Sequence, residues 1–296
     1  FPLAKKGEGP LASIVATSVS AGGGMFGLLA LLFTTPMIAA LSLKFGVWEY
    51  FWLAMFGVVI ASSLTTSTFI KGLIAGLLGL FFSYIGMDEI HGFARFTFGR
   101  TSFMGGISLV PAMIGLFGFA EAIDSIMAPE SHLIKDTGEK KQSLWQMTMT
   151  SFKMMLTPPG LGVFIRSSII GTIIGAIPGV GPDIASWTAY GAAKRTSKHP
   201  ETFGNGSYEG LMASETANNA ACSGVFIPLL TLGIPGCAVT AVIIGAMRLH
   251  GLRPGPTFFF DSPEMVGFIA AALFITNVFI QLQGVGLTTV INKVLE

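Results

Sequence analysis

Long apolar runs separated by short charged punctuation dominate this chain. No charged residue occurs in Ser13–Leu43, Tyr50–Ile70, Thr216–Met247 or Met265–Asn292. About 20 apolar residues suffice to cross a hydrocarbon core of about 30 Å. The pattern therefore predicts an all-α, polytopic integral membrane protein. Short alternating strands, the mark of a membrane β-barrel, are absent from the sequence.

Taken in order, the runs predict four spans in residues 1–126. They are Ser13–Leu32, closed by Pro36; Tyr50 to about Ser67; Gly72–Met87; and Met104–Ile126. Residues 127–159 form a hydrophilic loop, with an amphipathic helix near Trp145–Met155 that Thr157-Pro158-Pro159-Gly160 stops. Residues 160–256 are a region of broken helices, and residues 257–296 return to spanning helix. There Glu264–Leu282 spans, and Gly284–Leu295 begins a further element.

The broken region is the most informative. Val163–Ile177 has helical patterning, stops at Pro178-Gly179-Val180-Gly181-Pro182, and resumes over Asp183–Ala193. Asp183 falls in the first turn of the new helix, where a carboxylate complements the helix dipole. Arms of about 11–15 residues reach only about 16–22 Å at 1.5 Å per residue, too short to cross. Lys153 precedes the pair and Lys194, Arg195 and Lys198 follow it. Together these features predict a re-entrant hairpin that enters and leaves on one side. A second broken segment follows: residues 208–232 carry Glu209, Glu215, Asn218 and Asn219, Gly233-Ile234-Pro235-Gly236 ends them, and a short arm Ala238–Met247 comes next. Length alone leaves open whether this is a second hairpin or a span with a half-span.

Composition sharpens the picture. The 296 residues are 51% hydrophobic and 11% charged, against roughly 25% charged in an average soluble domain. Mean hydropathy is +0.70. Glycine, at 38 residues, is in excess, and Gly22-Gly23-Gly24, Gly72-x3-Gly76 and Gly171-x3-Gly175 invite close helix approach. Cys222 and Cys237 lie in apolar sequence and read as small buried hydrophobes. Lys5, Lys6, Lys71, Lys135, Lys140, Lys141 and Lys153 fall on one side of the predicted spans, against Lys44, Arg95 and Arg100 on the other. The excess puts the chain start and the large loop in the cytoplasm. A net charge of +1 gives no sign of a nucleic-acid partner.

Chemistry is expected at the breaks. In hydrocarbon, unsatisfied backbone is costly, so a deliberately broken apolar helix needs a reason. Freed N–H groups and the positive helix end can receive a carboxylate, while freed carbonyls take a cation. The glycines let solute and backbone meet with no Cβ between them; a plain turn between helices is the bland alternative. On the functional reading Gly179, Gly181, Ser186, Thr216, Asn218 and Asn219 bind the solute. Gly175, Pro178, Pro235, Gly236 and Thr240 hold the coupling cation, Na⁺ being the candidate, and Glu215 couples or gates. The bland alternatives are interhelical hydrogen bonding for the asparagines and interfacial solvation for Glu215. Arg166, Arg248 and Arg253 could attract an anion or simply sit at interfaces. His91, His132, His199 and His250 are too scattered for a ligand set, no Walker sequence is present, and no nucleophile–base pairing stands out. No organic cofactor and no enzymatic activity are expected.

Four motifs, in order, carry a resemblance. They are Gly171-x3-Gly175-x2-Pro178-Gly179-x-Gly181; Ala217-Asn218-Asn219-Ala220-Ala221; Ile227-Pro228-Leu229-Leu230-x-Leu232-Gly233-Ile234-Pro235-Gly236; and His250-Gly251-Leu252-x-Pro254-Gly255-Pro256. With Phe45-Gly46-x2-Glu49-Tyr50-Phe51 and Arg95-Phe96-Thr97-Phe98-Gly99, they resemble the large membrane subunit of bacterial tripartite tricarboxylate transporters along the whole chain. The resemblance implies a secondary transporter of the bacterial inner membrane, built on an inverted repeat and driven by Na⁺ or H⁺. It would receive a small organic carboxylate from a periplasmic solute-binding protein and work with a small membrane subunit in the lipid bilayer. It also implies an earlier Pro-Gly-x-Gly element upstream of Phe1-Pro2 and further spans after Glu296, so the chain is expected to be a piece of a longer protein. Ser214 departs from the family, which often has Pro before the Glu, so a kink there is not assured. Two other functions stand beside this one: an intramembrane enzyme acting on a lipid-linked substrate, for which Glu215 is the available acid, and a passive anion channel.

Overall fold

A computed structural model describes residues 2–46, 48–49, 51–52, 55–56, 59, 69–88, 91–108, 111–112, 115–116, 119–127 and 143–295. In chain order its elements are α1 (Pro2–Lys5), α2 (Gly9–Ser42), α3 (Phe69–Ser83), β1 (Gly86–Met87), β2 (Ala94–Arg95), α4 (Phe119–Met127), α5 (Leu144–Leu156), α6 (Pro158–Gly175), α7 (Gly181–Thr196), α8 (Tyr208–Gly224), α9 (Phe226–Leu232), α10 (Ala238–Leu249), α11 (Phe258–Asp261) and α12 (Pro263–Leu295). Among the described residues the protein is all-α apart from one ribbon of two two-residue strands, in which Gly86 pairs with Arg95 and Met87 with Ala94. Among the described residues three helices are long and apolar enough to cross a membrane: Gly9–Ser42, Pro158–Gly175 and Pro263–Thr288.

Helix α2 is the post on which the rest is stacked. Its glycines let other backbones touch it: a Cβ on Gly23 would run into the Thr216 carbonyl, and one on Gly27 into the Ala220 carbonyl. Ser223 then donates to the Gly24 carbonyl at 2.9 Å, and Ser42 to the Thr231 carbonyl at 3.2 Å. Residue numbers rise together along both partners, so α8 and α9 run parallel to α2. The numbers fall against each other on α12, where Gly24 receives the Asn277 side chain, Gly284 receives Thr17, and Thr288 donates to Ser13 at 3.3 Å. Helix α12 is therefore antiparallel to α2. This is small-residue packing, the way membrane helices gain contact without a hydrophobic drive between them.

The pair α6–α7 closes the other side of α8. Gly171 packs on Ala217, and a Cβ on Gly175 would lie 2.6 Å from the Ala221 carbonyl, so α6 also runs parallel to α8. Helix α7 returns: Ser186 donates to the Ser214 carbonyl at 3.0 Å, and Gly210 lies against Tyr190. At the open end Arg166 on α6 donates to Thr196 on α7. The same end carries the chain start, for Gly206 sits beside Lys6 and Leu3. Ser207 caps α8 there by accepting from the Gly210 N–H at 3.2 Å, which is why the Gly204–Ser207 turn gives way to helix.

Several expectations change. Pro36 does not close the first span, since α2 runs on to Ser42. Pro36 lacks the N–H that would bond the Leu32 carbonyl, and the Thr35 hydroxyl bonds the neighbouring Leu31 carbonyl, as threonine commonly does within a helix. The third span ends at Ser83, not Met87, because Gly86 and Met87 pair into the ribbon. Asp88 holds that ribbon's far side through His91 at 2.9 Å and Arg95 at 3.3 Å. Gly284–Leu295 is not a separate element but the end of α12. Cys222 is exposed and Cys237 half-exposed, both as free thiols, rather than buried. The expected helix near Trp145–Met155 is α5, opened by a Ser143–Gln146 capping box and stopped at Thr157 before Pro158. Most of the predicted second span, six positions of the fourth and most of the 127–142 loop lie outside the described residues.

Candidate functional site

The hairpin tip is built by glycines in a conformation other residues avoid. Gly179 and Gly181 have φ of 79° and 76°, so the chain turns back within Pro178–Gly181. The arms are longer than the sequence suggested, 18 residues in α6 and 16 in α7. Helix α6 is thus long enough to span on its own, and its length does not fix the tip's depth. Packing does. Gly175 lies against Ala221 and Gly27 against Ala220, so the end of α6, just before the tip, is level with Gly27 of α2. That position is about 27 Å along a helix of about 51 Å at 1.5 Å per residue, close to its midpoint.

The second break meets the first. Helix α8 ends at Gly224, α9 carries the chain on for about two turns, and Gly233 stops it in a left-handed cap with φ of 69°. The chain then folds back, placing Gly236 against Val225, where a Cβ would lie 2.7 Å from the valine Cβ. A Cβ on Gly181 would lie 3.5 Å from that of Cys237. Helix α10 starts here and runs on beside α9, with Ile244 and Met247 packed among Leu229, Leu230 and Phe258. The N-termini of α7 and α10 therefore face one another at the tip and point away in opposite directions.

Two opposed helix N-termini concentrate positive potential, about half a unit charge each, on one spot. The first turn of α7 has no side-chain cap. That of α10 is capped from within: Thr240 accepts from the Cys237 N–H at 2.9 Å and donates to the Cys237 carbonyl at 2.8 Å. Basic side chains are remote along the helices: Arg166 is nine residues before Gly175, Lys194 thirteen after Gly181, and Arg248 eleven after Cys237. Exposed Asp183 stands in the first turn of α7. What this arrangement can do is hold a carboxylate on backbone N–H groups, with a cation nearby to balance it.

The candidate residues divide into two groups. Gly175, Pro178, Gly179, Gly181, Pro235, Gly236 and Thr240 come together at the meeting of the breaks, although the Thr240 hydroxyl is already used in the cap. Asn218 and Asn219 sit half-buried within a turn of Ala221. The Asn219 amide reaches the Glu215 carbonyl at 3.5 Å, a long contact, and Asn218 makes no side-chain hydrogen bond among the described residues. Three candidates are elsewhere. Ser186 spends its hydroxyl on Ser214. Thr216 is fully buried against α2, its hydroxyl without a partner. Glu215 also turns to α2, where Ser20 donates to its carboxyl at 3.1 Å. Ser20 was not among the candidates, and nothing in the uncharged run from Ser13 to Leu43 distinguishes one hydroxyl from another. A groove of about 270 Å³ between α2, α5 and α12 lies away from the tip; its wall is mainly apolar, with Ser18, Asn277 and Gln281 in it.

Comparison with known proteins places this geometry in context. The family described as "Tripartite tricarboxylate transporter TctA family" matches residues 1–296. An "Uncharacterized 52.8 kDa protein in TAR-I ttuC' 3'region" of Agrobacterium vitis is 37% identical over 278 residues, 94% of this chain and 54% of that protein. An "Uncharacterized protein in TAR-II ttuC' 3'region" of the same organism is 45% identical over 107 residues, 36% of this chain and 44% of that protein. The chain thus spans about half the length of these curated relatives. No solved structure matches it significantly.

Proposed function

Given that this chain belongs to the tripartite tricarboxylate transporter TctA family, we propose that it forms carboxylate-translocating machinery of a secondary transporter, with the solute bound where the two broken helices meet. The observation that carries this reading is the approach of Gly181 to Cys237, which sets the α7 and α10 N-termini head to head at mid-length of α2. A carboxylate there would gain backbone hydrogen bonds and two favourable dipoles without a cationic side chain. Asn218 offers an amide that is otherwise unspent. The protein is a multi-pass membrane protein.

The finer reading is import of tri- or dicarboxylates across the bacterial inner membrane, coupled to Na⁺ or H⁺. A periplasmic binding protein would deliver the solute and a small membrane subunit would complete the assembly. The α6–α7 pair would be re-entrant, since Arg166–Thr196 closes its base beside the chain start while α6 ends, just before the tip, at the level of Gly27. Among the described residues no nucleophile–base pair at the tip favours an enzyme, Asp183 there being an exposed first-turn carboxylate, and a passive channel would need no cation site. The test is uptake by the complete transporter in proteoliposomes. Asn218→Ala should lower uptake by about tenfold or more, the worth of ~1.4 kcal/mol, and leave folded yield unchanged. Retained uptake with a lowered melting temperature would make Asn218 a packing residue and remove it from the site.

A further inference from the structure

Glu215 is the acid that sequence reading singled out, yet the structure turns it away from the hairpin and against α2. Its carboxyl receives the Ser20 hydroxyl at 3.1 Å, and Ser20 itself is 4% exposed. Ser20 lies eleven residues into α2, about 16 Å from its start, so the pair is well inside the apolar length of the bundle. Asn219 follows one turn later on the same face of α8, in contact with the Glu215 carbonyl, and Ser223 one turn beyond that bonds Gly24. A polar row thus climbs α8 from Glu215 towards the level of the tips.

Glu215 is half-buried there, and the buried part of a carboxylate in an apolar interior calls for a compensating charge. No basic side chain pairs with it among the described residues. Helix α2 has no charged residue between Gly9 and Ser42. On α6 the charged residue is Arg166, which turns to Thr196. On α7 Asp183 is at the tip, Tyr190 packs on Phe203, and Lys194 and Arg195 are in the last turn. Glu209 and Tyr208 open α8, Lys153 closes α5, and Glu264 begins α12 on the far side of α2.

We propose that Ser20 is a positioning residue for Glu215, fixing its carboxyl against α2 so that it takes up the monovalent cation that travels with the carboxylate. The proposal rests on the coupled-transport reading above. A hydroxyl serves both states of the acid, because it donates to a carboxylate and accepts from a carboxylic acid. With Na⁺ in place of a proton, the same oxygen becomes a ligand beside the carboxylate. The shared chemistry is a small monovalent cation, and H⁺ and Na⁺ are told apart by titration.

The experiment uses the complete transporter in proteoliposomes, with carboxylate uptake measured against Na⁺ at fixed pH and against pH at fixed Na⁺. Ser20→Ala should shift the half-saturating cation several-fold and leave the carboxylate KM unchanged. Glu215→Gln should abolish the cation dependence, and adding Ser20→Ala to it should change nothing further. A shift in the Na⁺ curve identifies sodium, and a shift in the pH curve identifies the proton. Should Ser20→Ala not fold, Ser20→Cys, close in size and a weaker donor, should give a smaller shift in the same direction. Unchanged cation curves with only a lower melting temperature or maximal rate would overturn the proposal, as would an equal Ser20→Ala shift in the Glu215→Gln background. Wild-type uptake indifferent to both cations would overturn the coupled-transport reading itself, and this proposal with it.

Discussion

Two halves of this bundle are packed by different means. In α2, α6, α7 and α8 the contacts are backbone on backbone, with Gly23, Gly27, Gly171 and Gly175 against Thr216, Ala220, Ala217 and Ala221. Ala185 and Ala189 complete the same seam from α7. In α9, α10 and α11 the contacts are between large side chains, with Leu229, Leu230, Ile244, Met247 and Phe258 at the centre and Phe226, Leu252 and Ile269 around them. The first seam has no slack, because a carbonyl cannot move aside as a rotamer does. The second can repack, because apolar side chains of similar volume substitute for one another at modest cost. The two breaks meet where these regimes join, with a rigid tip on one side and an adaptable one on the other. On the proposed reading, such a junction suits a site that must hold its solute and then let it go.

The largest expected effect tests the rigid half. Gly175→Val would drive its side chain into the Ala221 carbonyl 2.6 Å away, and should remove folded, monodisperse protein altogether in detergent size-exclusion chromatography. Ile244→Val, in the adaptable half, should cost about 0.5–1.5 kcal/mol and leave a sharp peak. Equal tolerance at both positions would erase the contrast. The smallest effect probes a hydrogen bond inside the rigid half. Ser186→Ala removes the bond to the Ser214 carbonyl and should cost about 0.6 kcal/mol, the average for such bonds between membrane helices. Melting temperature should fall slightly and uptake should persist; loss of uptake at unchanged stability would return Ser186 to the solute site.

How much of this was legible beforehand follows from the physics of each signal. The Gly171-x3-Gly175 spacing announced a close helix partner, and the Pro178–Pro182 cluster announced the tip, because glycine and proline act locally. The longer arms were hidden because Pro158 and Pro159 read as a stop for α5, whereas proline also suits the first turn of the next helix. The continuation of α2 past Pro36 was hidden because a proline inside a membrane helix is tolerated where neighbouring helices pack on it, as α9 does at Ser42, and a breaker rule ignores that. That Thr216 and Glu215 face α2 rather than the tip depends on which side of α8 each neighbour occupies. No pattern within α8 carries that information, and Ser20 was invisible for the same reason.

On the proposed reading the α6–α7 pair enters and leaves at one end and buries its tip near mid-membrane. Single cysteines at Gln142, Ser197 and Val180, in a background lacking Cys222 and Cys237, test it with a membrane-impermeant maleimide. Positions 142 and 197 should be labelled from the cytoplasmic side alone. Position 180 should react slowly from either side, and more slowly still with substrate and cation present. Labelling of 142 and 197 from opposite sides would mean that the segment crosses the membrane, and the site at the meeting of the two breaks could not stand.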